Sequence, residues 1–211
     1  MTDFADIRRR MVESQLRPQG VVDPFVLEAM STLPREDYVP ASQREVAYAD
    51  AIIPLGERRG LPTCSVTGRL LNAVAARPDE RVMVVGAGTG YAAALFAHMG
   101  CRVTAVENDP LFADNLARLT GVTLVSGELA AGHAANAPYD VIVIDGAIEQ
   151  IPPAIVEQLG EGGRIATVLV ERGVGRLTLG FKAPHGVGYS SFGDVGCPAL
   201  PGFARPRVFT F

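Results

Sequence analysis

The chain has 211 residues, 48% of them hydrophobic and 20% charged, with a formal net charge of −4. That length and balance fit one α/β domain with small additions and a full-sized core, and the charge gives no support for nucleic-acid binding. No run approaches the roughly 18 apolar residues of a membrane span, and Met1 to Arg10 mixes acids with arginines where a secretory signal would be apolar. No membrane partner and a cytoplasmic location are therefore expected. Cys64, Cys101 and Cys197 are odd in number and widely spaced, without a C-x-x-C, so neither a metal site nor a disulfide framework is expected.

Phe4, Ile7, Met11 and Leu16 recur at roughly helical spacing and predict an amphipathic helix over 3–16, with Arg8, Arg9 and Arg10 on its solvated face. Asp23 and Pro24 open a second helix as N-cap and first helical residue, and Pro34 ends it. Residues 35–63 carry Pro40, Pro54, Gly56, Gly60 and Pro62 and read as a long, partly ordered connection of the functional or mobile kind, part of an N-terminal lid or subdomain. Residues 1–63 are thus an N-terminal helical extension, and 64–211 the main domain. Ser65 to Ala76 reads as a helix with Ser65 as its N-cap. Strands follow at 81–86, 102–107, 122–126 and 140–145, alternating with helices at 90–99, 109–119 and 152–159. This alternation calls for a doubly wound parallel sheet with helices on both faces. Segments 164–171, 175–182, 187–195 and 205–211 then read as antiparallel edge strands.

The run Arg81-Val82-Met83-Val84-Val85-Gly86-Ala87-Gly88-Thr89-Gly90-Tyr91 is a buried strand, a glycine turn and a helix start. Such a corner presents a nucleotide-like ligand at the carboxyl edge of the sheet. A dinucleotide fingerprint wants a small residue at position 91, and Tyr91 argues against one. S-adenosylmethionine (SAM) has no phosphate, and its methionine tail and ribose can pack against the loop. Glu107 closes the second strand, 17 residues after Gly90, where an acid can accept both ribose hydroxyls. Glu128, after the third strand, is placed either to accept an adenine amino group or to favour a helix start. Asp145 ends the fourth strand facing the crevice, where it could bind substrate, balance a sulfonium or cap the next loop. His98, His133 and His185 lie apart and read as surface or capping residues.

Longer motifs add to this reading. Met11-Val12-Glu13-Ser14-Gln15-Leu16-Arg17, Leu33-Pro34-Arg35-Glu36-Asp37-Tyr38-Val39-Pro40, Ile53-Pro54-Leu55-Gly56, Ala137-Pro138-Tyr139-Asp140 and Gly162-Gly163 together resemble the protein-L-isoaspartate O-methyltransferases. The resemblance runs from about Met11 to about Gly163. It implies a SAM-methyltransferase, Rossmann-like fold and carboxyl methylation of isoaspartyl residues in proteins or peptides, a repair reaction. It also implies that Gly86, Ala87, Gly88, Thr89, Gly90, Glu107 and Glu128 hold SAM. Methyl transfer to an ionised carboxylate needs little proton chemistry, so alignment and water exclusion carry it.

The chain departs from the family pattern at the acceptor side. Gly60 and Pro62 stand where the family has hydroxyl residues, Val84 where it has an acid, and Asp145-Gly146-Ala147 where it has Thr-Ala-Ala. Thr63 becomes a candidate contact for the acceptor, with Ser65 and Thr67 as further hydroxyls, and Arg58 or Arg59 would have to offset Asp145. Three alternatives follow: a non-catalytic SAM-binding relative, a methyltransferase for another small acceptor, and, weakened by Tyr91, an NAD-dependent oxidoreductase.

Overall fold

The computed structural model describes residues Asp3 to Arg205. The predicted strand at 205–211 lies outside the described residues except for Arg205, which is irregular. Helix α1 (Phe4–Met11) is capped by Asp3, whose carboxylate accepts the Asp6 N–H. It continues through a π-helical turn at Val12–Leu16 and a 3-10 turn at Arg17–Gln19, and Gly20, at φ 80°, stops it. Helix α2 (Pro24–Thr32) begins as predicted, with the Asp23 side chain accepting the Phe25 N–H.

Residues 35–63 are better ordered than their prolines and glycines suggest. They form 3-10 turns at Arg35–Asp37 and Ala41–Val46 and an antiparallel hairpin of β1 (Ile53–Pro54) and β2 (Gly60–Leu61). Burial of Arg35, Tyr48, Ile53, Leu55 and Leu61 fixes the path. Helix α3 (Cys64–Val74) starts earlier than expected, because Thr63 caps it and Ser65 does not. The Thr63 hydroxyl oxygen accepts the Val66 N–H at 3.2 Å, while Ser65 lies inside the first turn and donates to Asp50 at 3.3 Å.

Seven strands make the main sheet: β3 (Arg81–Val85), β4 (Arg102–Glu107), β5 (Val122–Ser126), β6 (Tyr139–Ile148), β7 (Leu159–Glu171), β8 (Val174–Ala183) and β9 (Gly186–Asp194). Their order is β5-β4-β3-β6-β7-β8-β9, with β3 to β7 parallel and β8 and β9 antiparallel. The chain runs outward from β3 to β5, then crosses back to β6. This reversal beside β3 opens a crevice at the carboxyl ends of β3 and β6, where open α/β sheets bind ligands.

The central strands alternate between two cores. Val82, Val84, Val103, Ala105, Val141 and Val143 pack with α1, α2, α3 and α4 (Tyr91–His98). Met83, Val85, Val106, Ile142 and Ile144 face the other side, which is covered thinly. Ile155 of α6 (Pro153–Glu157), Leu129 of a 3-10 turn, and Leu200 and Phe203 of the irregular C-terminal segment do the covering. Among the described residues the expectation of helices on both faces is therefore met on that side only by the short α6. The helix expected at 109–119 breaks into a 3-10 turn at Pro110–Phe112 and α5 (Ala113–Leu116). Among the described residues no helix is long and apolar enough to cross a membrane.

Candidate active site

The glycine corner is built as its sequence requires. Gly86, Gly88 and Gly90 have φ of 75°, 54° and 91°, a left-handed region costly for other residues. Behind them Tyr91 is fully buried, its ring 5.3 Å from that of Tyr38, so the position where a dinucleotide fold needs a small residue is filled by a packed aromatic.

Glu107 stands at the end of β4 with its carboxylate turned into this corner. It accepts the N–H of Gly88 at 2.7 Å, of Asn108 at 2.9 Å and of Asp109 at 3.0 Å. Arg59, following the hairpin turn, donates from Nη1 to Oε1 and from Nη2 to Oε2, both at 2.8 Å, and from Nη2 to the Gly86 carbonyl at 3.3 Å. Burial pushes the Glu107 carboxyl up, but the hydrogen bonds and charge of Arg59 and the backbone donors outweigh it and hold the group below the ordinary carboxylate range. The Arg59 and Glu107 side chains are only 7% and 3% exposed. Sequence reasoning offered Arg59 as an offset to Asp145 and missed its partnership with Glu107.

The corner is also closed from above. The C-terminal segment crosses the carboxyl edge beside β6, with Ala147 donating to the Pro198 carbonyl and Leu200 donating to the Ala147 carbonyl, each at 2.8 Å. The Leu200 δ carbons come within 2.7 and 2.8 Å of where a Cβ on Gly86 would stand. The hollow expected beside the loop is thus filled by Arg59 and Leu200. An open cavity of about 380 Å³ adjoins it, walled by Glu107, Asn108, Pro110, Leu124, Val125 and Ser126. A larger one of about 450 Å³, between Leu33, Tyr38, His98 and Leu119, flanks α4 away from the sheet edge.

Asp145 lies on a bulge of β6. Val143 pairs with Ala166 and Ala147 with Val168, so β6 holds two residues more than β7 between these points. Desolvation raises the Asp145 carboxyl to about 6, against the pull of Arg35 and Arg59 and with the push of Glu107. Arg35, unforeseen as a site residue, is fully buried. Its Nε donates to the Ala47 carbonyl at 2.8 Å and its Nη2 to the Pro62 carbonyl at 2.6 Å, while Nη1 has no partner among the described residues. The resemblance offered a signal, since Arg35 belongs to the Pro34-Arg35-Glu36 motif.

Other sequence candidates fall elsewhere. Ala87 and Thr89 are buried in the loop, and the Thr89 hydroxyl has no partner among the described residues. Glu128 is exposed beyond β5, ahead of the 3-10 turn at Leu129–Ala131. Thr63 and Ser65 line a separate cavity of about 420 Å³ with Asp50, Arg69 and Asp194. The buried Thr67 hydroxyl has no hydrogen-bond partner among the described residues, Arg58 is exposed, and Val84 is core. Arg8 leaves the solvated face assigned to it: it donates to Tyr48 at 2.8 Å and Glu36 at 3.0 Å, because Glu36 is buried and needs a cation.

A family model described as Protein-L-isoaspartate(D-aspartate) O-methyltransferase (PCMT) matches residues 8–179. The chain belongs to the protein-L-isoaspartate O-methyltransferase family. A protein-L-isoaspartate O-methyltransferase from Methanoculleus marisnigri is 39% identical over 164 residues, covering 75% of this chain and 74% of the relative. A protein-L-isoaspartate O-methyltransferase 1 from Syntrophobacter fumaroxidans is 30% identical over 205 residues, covering 92% and 94%. The fold is similar to that of a putative protein-L-isoaspartate O-methyltransferase from Plasmodium falciparum, solved in complex with S-adenosyl-L-homocysteine, with a TM-score of 0.75 at 16% identity over 95% of this chain and 99% of that one. The family match extends through β3 to β7, and so over both walls of the crevice.

Proposed function

We propose that this chain is a SAM-dependent methyltransferase that esterifies the free carboxylate of isoaspartyl residues in proteins or peptides. The observation that carries the reading is Glu107, held in place by three backbone N–H groups at the rim of a glycine corner, in a chain of this family. Its two oxygens are placed to accept the two hydroxyls of a ribose. The backbone of Gly86–Gly90 allows close approach, the cavity beside Asn108 and Leu124 has room for a base, and Glu128 lies on the chain just past its Ser126 wall. These residues fit the nucleoside end of SAM once Arg59 leaves Glu107 and Leu200 leaves the hollow beside Gly86.

SAM, when bound, supplies a methyl carbon on a sulfonium sulfur, so that transfer to a carboxylate oxygen yields a methyl ester and leaves the bonding electron pair on sulfur. The protein then has no proton to move. Its part is orientation and exclusion of water, and Leu55 and Leu200 are buried over the corner to do the second. Asp145, ionised above about pH 6, would oppose an incoming carboxylate, and Arg35 offsets it. Residues 1–63 would wall the acceptor side and residues 64–211 hold the cofactor. We take the working compartment to be the cytoplasm, where the free thiols of Cys64, Cys101 and Cys197 stay reduced.

A second reading, a different small acceptor, is favoured by Gly60, Pro62 and Asp145 at positions where the family resemblance places hydroxyl residues. The test is methyl transfer from labelled SAM to an isoaspartyl peptide and to its normal aspartyl twin. Base-labile label on the isoaspartyl peptide alone is expected. SAM binding by calorimetry without any transfer would turn the assignment to another acceptor or to a non-catalytic relative.

A further inference from the structure

Arg59 does at Glu107 what a sugar diol does at such an acid. A guanidinium presents two parallel donors to the two oxygens of a carboxylate, and so does a pair of neighbouring hydroxyls. Here the two Arg59 bonds are both 2.8 Å, and the guanidinium carbon lies 5.0 Å from the Phe112 ring centroid, which holds the fork over the acid. The same side chain lies 3.6 Å from where a Cβ on Gly88 would stand, inside the corner. Glu107 does not depend on Arg59 for its position, since the Gly88, Asn108 and Asp109 N–H groups fix it from the backbone side. The outward side of the carboxylate is the side Arg59 takes.

We propose that Arg59 is a tethered stand-in for the ribose hydroxyls, so that the cofactor reaches Glu107 only by displacing it. The proposal rests on the SAM reading above. Arg59 is carried by the short β1–β2 hairpin, and its carbonyl accepts the Leu55 N–H at 3.0 Å, so its departure moves the hairpin or swings the side chain past Leu55. A binding site that is competent only while Arg59 is away loses apparent affinity in proportion to the time it is closed. The chain thereby keeps the charge of Glu107 balanced until the cofactor arrives, and binds more weakly than its contacts alone would allow.

The experiment is calorimetric titration of S-adenosyl-L-homocysteine into the full chain, as wild type, Arg59→Ala and Arg59→Gln, with thermal melts confirming that each is folded. Gln keeps the stem with a polar end but stops at about the position of the Arg59 Nε, short of Glu107, and serves where Ala unfolds the protein. Binding at least about 10-fold tighter in either folded variant than in the wild type is expected. Equal affinity in wild type and variants would overturn the proposal and leave the cofactor reading intact. Weaker binding in the variants would make Arg59 a cofactor contact and likewise overturn it. No binding by any folded form would remove the cofactor reading, and the proposal with it.

Discussion

The guanidinium of Arg35 lies over the ring of Tyr91, its central carbon 5.0 Å from the ring centroid, and both side chains are fully buried. The cation joins three segments that share no secondary structure: the Ala47 and Pro62 carbonyls accept from it, and Tyr91 opens α4. Arg35→Lys keeps the charge and loses the planar fork and the stacking. A loss of about 2–4 kcal/mol is expected, read as a melting temperature lower by roughly 10 °C in thermal denaturation. An unchanged melting temperature would show that the stacked cation contributes nothing.

Glu107 and Arg59 are expected to behave as a unit. Glu107→Gln leaves a guanidinium buried without its counter-charge and costs about 3 kcal/mol in urea denaturation. Adding Arg59→Met removes the stranded cation and should recover more than half of that loss. Additive losses in the double variant would mean that the two side chains do not interact across the corner.

Asp145 gives a pH dependence with a definite sign. Its carboxyl ionises at about 6 in the folded chain against an ordinary 3.8, so the folded state resists losing this proton. The group's contribution to stability is complete below the ordinary value and is lost as pH rises through about 6. Asp145→Asn should therefore exceed the wild type at about pH 8 by up to roughly 3 kcal/mol, and the two should converge near pH 4. Stability curves that stay parallel across this range would contradict the burial argument.

Restoring a hydroxyl residue in the acceptor loop has a steric cost. A Cβ on Gly60 would stand 2.9 Å from Ile52 Cγ2 and 3.1 Å from Pro198 Cβ. Ile52 is partly exposed and can rotate, whereas Pro198 is tied to Ala147 through its carbonyl. Gly60→Thr is expected to cost about 1–2 kcal/mol, and Ile52→Ala should return part of it. Pro62→Ser keeps the carbonyl that accepts from Arg35 but puts a hydroxyl at a buried position and frees the backbone, and should cost about 1 kcal/mol in the same denaturation series.

Much of the sheet was legible because its strands are short apolar runs bounded by glycine or charge. Arg102–Glu107 and Val122–Ser126 begin and end where the pattern places them. The predicted helix at 109–119 fails for a local reason: Asp109 and Pro110 start a 3-10 turn, and only four residues of α-helix follow. The cap of α3 was ambiguous by two residues, since Thr63 and Ser65 both carry hydroxyls, and the choice is made by Asp50, fifteen residues away, drawing off Ser65. At the site, Glu107 could be found from its distance to the glycine turn. The Arg59 contact could not, because its partner is 48 residues distant and no periodicity links a two-residue hairpin strand to the end of β4. Leu200 over Gly86 is hidden for the same reason.

The bulge in β6 adds two residues, an even number, and a strand repeats every second residue. Val143 before it and Ala147 after it therefore face the same core, as do Ile144 and Ile148 on the opposite side. The local detour reshapes the rim of the crevice without inverting the rest of the strand. A single-residue deletion between Ile144 and Ala147 would turn every following side chain through the sheet, whereas removing a pair would preserve the parity of both layers. The length of this rim can thus change only in steps of two.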